Sequence, residues 1–212
     1  MKTIQNLIWD FNGTLLNDLD LCLNSINSLL AKRNLIRLDK QEYHNIFTFP
    51  IKDYYSKAGF NFEQESFEEV AIEFIDLFLS GLPKVQLHSE VIPSLDYFQQ
   101  KGFRQIILSA MHQEELRRTV ELHQIEKYFD GIFGIDDHYA NGKTGVAIHA
   151  MQQCGFGADS TCLLGDTLHD AEVARQLGTE CILIADGHQS AQRLASSGFR
   201  VIDSLSEIYT CF

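Results

Sequence analysis

From Ser89 onward, short apolar runs take turns with segments of helical periodicity. FRQIILSA, FDGIFGI, TCLLGD, ECILIAD and RVID read as strands, RVID as an edge strand. Between them, IPSLDYFQQKG, QEELRRTVELHQI, GVAIHAMQQCGF, TLHDAEVARQLG and SAQRLASSG read as helices, several of them closing at a glycine. Strand–helix alternation is joined by right-handed crossovers and builds a parallel sheet. Runs such as IILS and CLLG are apolar without period-two alternation, which suits strands covered by helices on both faces. Near the start, NLIWDF supplies one more strand, stopped by Asn12-Gly13-Thr14. The predicted fold is α/β, a doubly wound parallel sheet.

Residues 16–88 follow a different pattern. LDLCLNSINSLLAKR and FEEVAIEFIDLFLSGL carry apolar residues at helical spacing, and KDYYSKAGF reads as a shorter helix ending at Gly59. The expected organisation is therefore an α/β core, residues 1–15 and 89–212, with a small helical insert from 16 to 88. The 29 acidic and 17 basic residues give a net charge of -12, which argues against nucleic acid as a partner. The opening MKTIQNLIWDF lacks the apolar run of a signal peptide, and no stretch is long enough to span a bilayer. Five cysteines without a CxxC pair fit reduced thiols, and the expected location is the cytoplasm.

Polar residues stand just past the ends of three strands: Asp10 after NLIW, Ser109 after QIIL and Asp166 after TCLLG. In open α/β sheets this rim is where ligands bind. Each residue also has an ordinary structural role: Asp10 and Asp166 as turn formers or helix caps, Ser109 as the cap of the helix that follows. Lys143 has the same ambiguity, since a surface lysine looks no different in one sequence.

Four segments taken together resemble the haloacid dehalogenase (HAD) superfamily, in the order that family uses. Asp10-Phe11-Asn12-Gly13-Thr14-Leu15 resembles its opening signature, Ser109 in IILSA the second motif, and Lys143 in NGKTG the third. Gly165-Asp166-Thr167-Leu168-His169-Asp170 matches the fourth. The helical insert before Ser109 is similar to the cap of the phosphoglycolate phosphatase-like branch. The resemblance implies a phosphatase-type hydrolase of a HAD-like Rossmannoid fold with a small α-helical cap domain. It implies that Asp10 attacks phosphorus and becomes an aspartyl-phosphate. It also implies Mg²⁺ held by Asp10, Asp166 and the Asn12 backbone carbonyl, with Asp170 in support. Ser109 would bond a phosphoryl oxygen, Lys143 would balance the charge, and Gly13 and Thr14 would shape the phosphate loop. The expected partner is a small phosphorylated metabolite, with no nucleic acid and no membrane, and the chain a monomer or homodimer.

One position departs from the family pattern. Asn12 stands where family phosphatases carry the Asp that acts as general acid and then general base. An amide cannot exchange a proton at neutral pH, and such help is worth about 10²–10⁴-fold. Three readings remain open here. One is a slow phosphatase suited to good leaving groups, another a phosphate- and metal-binding protein without turnover. The third is a phosphonatase-like C–P hydrolase using Lys52 or Lys57, although both read more naturally as surface lysines. Phe47, Phe49, Pro50 and Lys52 are candidates to face the site from the insert. His112, His169 and His188 lie near strand ends without metal-ligand spacing and read as surface polar residues.

Overall fold

The computed structural model describes residues 3–135 and 142–212. Asn141, part of the NGKTG match, lies outside them. Six strands form one sheet: β1 (Asn6–Trp9), β2 (Arg104–His112), β3 (Gly131–Ile135), β4 (Thr161–Gly165), β5 (Glu180–Ile184) and β6 (Arg200–Ile202). Their order is β3-β2-β1-β4-β5-β6, every pair is parallel, and β6 is an edge. The chain leaves β1 toward β2 on one side and later returns to pair β4 on the other. The crevice above β1 and β4 is therefore the topological switch point, where such sheets bind ligands.

Alternate residues of each strand bury on opposite faces. Leu7, Trp9, Ile107 and Leu164 pack beneath helices α5 (Val91–Gln100) and α6 (Gln113–Leu122) and the final turn Leu205–Thr210. Ile8, Ile106, Leu108, Leu163 and Leu183 face α7 (Gly142–Cys154), α8 (Leu168–Leu177) and α9 (Ala191–Ala195). β2 differs from expectation. It continues through Ser109 to His112, with a register shift between Leu108 and His112 where it pairs β3. Gly134 permits this close pairing, because a Cβ there would come 2.7 Å from the Met111 carbonyl oxygen.

Helices α1 (Leu19–Lys32), α2 (Lys40–Ile46), α3 (Ile51–Ala58) and α4 (Phe67–Gly81) build a third core around Ile26, Tyr43, Tyr54 and Val70. The sequence reading passes over α2. Its signal is a capping box, in which the Asp39 carboxylate accepts from Glu42 N and Glu42 accepts from Asp39 N, both at 2.8 Å. The two passages joining this layer to the sheet run side by side: Asn17 N donates to Gln86 O and His88 N to Leu15 O. The helices lean onto the switch-point rim through α2 and the turn after it. Tyr43 OH meets His188 Nδ1 at 2.9 Å, Gln189 donates to the Phe47 carbonyl at 2.9 Å, and Arg193 donates to the His44 and Phe47 carbonyls, each at 2.7 Å. Among the described residues no helix is long and apolar enough to cross a membrane.

One polar pair lies inside the sheet core. The Trp9 indole N–H donates to Gln105 Oε1 at 3.0 Å, and the Gln105 amide donates to the Leu95 carbonyl. Gln105→Leu strands a buried indole donor, so urea denaturation should show a loss of about 1–3 kcal/mol. A loss below about 0.5 kcal/mol would mean the indole finds another partner.

Candidate active site

The loop after β1 sets the site. Asp10 N donates to the Leu164 carbonyl at 2.8 Å, which carries the β1–β4 pairing one residue past the strand and turns the chain upward. The Phe11 carbonyl then accepts from Leu15 N and Leu16 N, and Gly13 N donates to Leu16 O. This tight loop requires φ of +79° at Gly13, a value that favours glycine. A Cβ at Gly13 would also run into the His188 ring at 2.6 Å.

Asp10, Asp166 and Asp170 converge within reach of one ion, one carboxylate oxygen of each lying within 4.8 Å of the others. Lys143, on the first turn of α7, is buried rather than on the surface. Its ammonium bonds both Asp10 Oδ1 and, at 2.6 Å, Asp170 Oδ1. The second oxygen of Asp170 accepts from Thr167 N and Oγ1. Thr167 and Asp170 thus cap α8 reciprocally, and the helix-cap role open to Asp166 belongs to Thr167. Asp166 instead accepts from Thr14 Oγ1 at 3.1 Å and from His188 N at 2.6 Å. Gly187 allows that approach, since a Cβ there would lie 2.6 Å from the Asp166 Cβ.

The electrostatics follow from burial. Burial pushes the Asp10 carboxyl well up, and Asp170 and Asp166 add to the rise while Lys143 opposes it. Burial, with Asp170 nearby, pushes Asp166 up to about 6. Burial would raise Asp170 too, but the Lys143 ammonium outweighs it and holds that carboxyl low. Lys143 itself is raised, because its two carboxylates outweigh the cost of desolvation. Three buried carboxylates facing one ammonium leave uncompensated negative charge. That deficit, on an all-oxygen donor set, fits a hard divalent cation.

Beside this cluster lies a second one that sequence reasoning missed. Asp18 accepts from Gly13 N at 2.8 Å, from Asn12 Nδ2 at 2.8 Å and from His188 Nε2 at 3.2 Å. Burial opposes ionisation of both partners, yet each stabilises the other. Asp18 is held low, and His188 is pushed up to about 9. His188 is therefore not the surface residue expected. It is buried, with Asp18 and Tyr43 on its two ring nitrogens. Its place near the end of β5 is the one sequence signal for it, and its burial against Asp18 leaves no local trace. Nothing in the local sequence marks Asp18. His169 is half-buried and stacks on Phe49 with ring centres 4.8 Å apart, while His112 is exposed.

Asn12 is oriented without ambiguity. A carboxylate only accepts, so the amide nitrogen faces Asp18, and the amide oxygen accepts from Ser109 Oγ at 3.3 Å. Ser109 accepts in turn from Met111 N at 3.0 Å. It does not cap α6, whose start at His112 has no side-chain cap.

Asp10, Asn12, Asp18, Ser109, Lys143, Asp166 and Asp170 all open onto one cavity of about 460 Å³, roofed by the helical layer. Phe47 and Phe49 line it, whereas Pro50, Lys52 and Lys57 do not. Lys52 and Lys57 are exposed, and Lys52 lies over the Phe62 and Phe67 rings. No lysine of the insert is thus within the cavity for C–P chemistry.

Comparison with known proteins bears on the fold and the family. The chain is similar in fold over its whole length to a haloacid dehalogenase-like family hydrolase from Streptococcus pneumoniae, with a TM-score of 0.87, 19% identity and 100% of each chain covered. It is also similar to a predicted phosphoglycolate phosphatase from Haemophilus somnus 129PT, with a TM-score of 0.79 and 17% identity over 100% of this chain and 99% of that one. The probable phosphatase IndB of Dickeya dadantii (strain 3937) is 25% identical over 120 residues, 56% of this chain. That match spans about half of the relative, 52% of its length. The model of the family described as haloacid dehalogenase-like hydrolase matches residues 7–184, well over half of the chain and both ends of the carboxylate cluster. The chain belongs to the haloacid dehalogenase-like hydrolase family.

Proposed function

We propose that this protein is a magnesium-dependent phosphatase acting on a small phosphate monoester, with Asp10 as nucleophile. The observation that carries this reading is the Asp10 carboxylate at the switch-point rim, bonded to Lys143 and beside Asp166, on the floor of a roofed cavity. Asp10, Asp166 and the Asn12 backbone carbonyl would hold the cation. When bound, it would lower the repulsion between a carboxylate and a phosphate dianion.

The chain's own groups supply the rest. Lys143 opposes the burial-driven rise of the Asp10 carboxyl and places its charge where the phosphoryl oxygens gather. The Ser109 hydroxyl, on a long bond to Asn12, is free to turn toward a phosphoryl oxygen. An Asp10 oxygen forms a bond to phosphorus as the ester oxygen leaves with its electron pair. Water then cleaves the resulting acyl phosphate, regenerating the carboxylate. The helical roof limits water around this exchange. The Asn12 amide favours a second reading, phosphate and metal binding without turnover, because no proton donor stands at that position.

Turnover separates the two. Wild type should release phosphate from 4-nitrophenyl phosphate with Mg²⁺, and Asp10→Asn should lower the rate by at least about 10³-fold. Absence of release in wild type, with retained phosphate affinity, would support the binding reading instead.

Asn12→Asp tests the missing acid. Because Asn12 donates to Asp18, that change alone presses two carboxylates together, so Asn12→Asp/Asp18→Asn is the matched variant. It should speed glycerol 3-phosphate hydrolysis by up to about 10²–10⁴-fold and 4-nitrophenyl phosphate far less. Equal gains on both esters would mean that proton transfer is not what position 12 limits.

Metal binding should couple to pH through Asp166. Its carboxyl is raised from 3.8 to about 6, so the folded state favours the neutral form. That contribution is full at low pH and is lost as pH rises through about 6. Mg²⁺ needs the ionised form, so the rise in Tm on adding it should grow across the same window. At a hundredfold excess over Kd the gain corresponds to about 2.7 kcal/mol. Asp166→Asn should flatten both trends in thermal unfolding; a pH-independent Mg²⁺ effect in wild type contradicts this coupling.

A further inference from the structure

Resting on the phosphatase reading above, we propose that the substrate is the phosphate monoester of an uncharged aromatic alcohol, its ring seated against the aromatic wall of the insert. Two separate features of the site lead there: what the cavity wall is made of, and what Asn12 lacks.

The charged residues lining the cavity lie on its floor, and the roof is aromatic and aliphatic apart from the Tyr54 and Tyr55 hydroxyls. Its roof is built from α3, α4 and the turn after α2, with Phe47, Phe49, Ile51, Tyr54, Phe74 and Phe78 among its lining. Phe49, Phe74 and Phe78 are only partly buried in the free protein, so a ring laid on them removes apolar surface from water. Ring–ring contacts already organise this wall, with Phe47 edge-on to both Phe49 and Tyr54.

Charge excludes the obvious alternatives. Among the described residues lining the cavity, Lys143 is the one Lys or Arg, and both its carboxylate partners are already in place. Residues 136–141, DDHYAN, contain neither residue type. A second anionic group on the substrate, such as the carboxylate of a phosphorylated hydroxy acid, would find no free Lys or Arg among these residues, and the His188 side chain that also lines the cavity is already paired with Asp18. That second anion would instead lie in a cavity that Asp10, Asp18, Asp166, Asp170 and Glu115 also line. A sugar would bury hydroxyls against hydrocarbon, at about 1–3 kcal/mol for each one left unpaired.

Asn12 points the same way by a different route. With no proton to give, the site must let the ester oxygen depart as an anion. A phenol ionises near pH ~10, several units below an alkyl alcohol. When an Asp10 oxygen bonds to phosphorus, the P–O bond to the ring breaks and phenolate carries off the electron pair. Phenolate takes its proton from water, and the hydroxide left behind is neutralised by the proton released in the next step. A water molecule then adds to the acyl phosphate, releasing hydrogen phosphate and a proton and restoring the Asp10 carboxylate.

The test uses the full chain with Mg²⁺ and three esters: 1-naphthyl phosphate, 2-phosphoglycolate and glycerol 3-phosphate. The naphthyl ester should have kcat/KM at least about 10²-fold above the others. Leaving-group chemistry alone could produce that order, so ring recognition is read separately by calorimetry on two phosphonates that cannot leave. 1-Naphthylphosphonate should bind at least about tenfold tighter than methylphosphonate, with a negative heat-capacity change. Phe74→Ala should narrow that gap. Faster turnover of phosphoglycolate or glycerol 3-phosphate overturns this substrate class and leaves the phosphatase reading standing. Equal affinity for the two phosphonates also overturns it, even if the naphthyl ester is fastest. Turnover of none of the three esters overturns the phosphatase reading and the substrate class with it.

Discussion

The Lys143 ammonium, buried between Asp10 and Asp170, is the interaction on which the arrangement of the site depends. It draws together three elements that are distant in sequence: the end of β1, the start of α7 and the start of α8. Each carboxylate is costly to bury alone, and each is tolerated because the cation is shared. Asp170 is in turn fixed by the α8 capping box, so the lysine is aimed by a helix terminus that cannot rotate freely. The carboxylates of Asp10, Asp166 and Asp170, facing one ammonium, make the floor of the cavity fit for a hard cation.

A second buried charge pair, Asp18 with His188, supports the first from the side. Asp18 ties down the Gly13 amide and the Asn12 side chain, while His188 N holds Asp166. Tyr43 then connects this pair to the helical insert. The insert therefore reaches the carboxylate cluster through His188, which holds Asp166, and the run Tyr43–His188–Asp18–Asn12 continues to Ser109. Asn12 is matched to this run as an amide: it donates to one neighbour and accepts from the other, which a carboxylate at the same place could not do.

Several features were legible in the residues themselves. Strand positions followed from apolar runs, and helix ends at Gly59 and Gly178 followed from left-handed stops that glycine adopts without strain. Asp10, Ser109 and Asp166 stood out because they follow strands, and strand ends share one rim in a parallel sheet. Other features had no local trace. Ser109 is inside β2 because tertiary pairing with β3 extends that strand. Lys143 in isolation is an ordinary lysine, and only the packing of α7 on the sheet turns it inward. His188 reads as polar surface until Asp18 is known to face it.

The sequence by itself determined the parallel α/β sheet, the helical insert and the rim on which chemistry could occur, because hydrophobic period and turn residues are encoded over short spans of chain. The tertiary structure alone decided which charges meet and what encloses them. Contacts such as Lys143 to Asp10 and Asp18 to His188 join residues more than a hundred positions apart, and their strength comes from burial, which exists only once sheet and insert have closed over them.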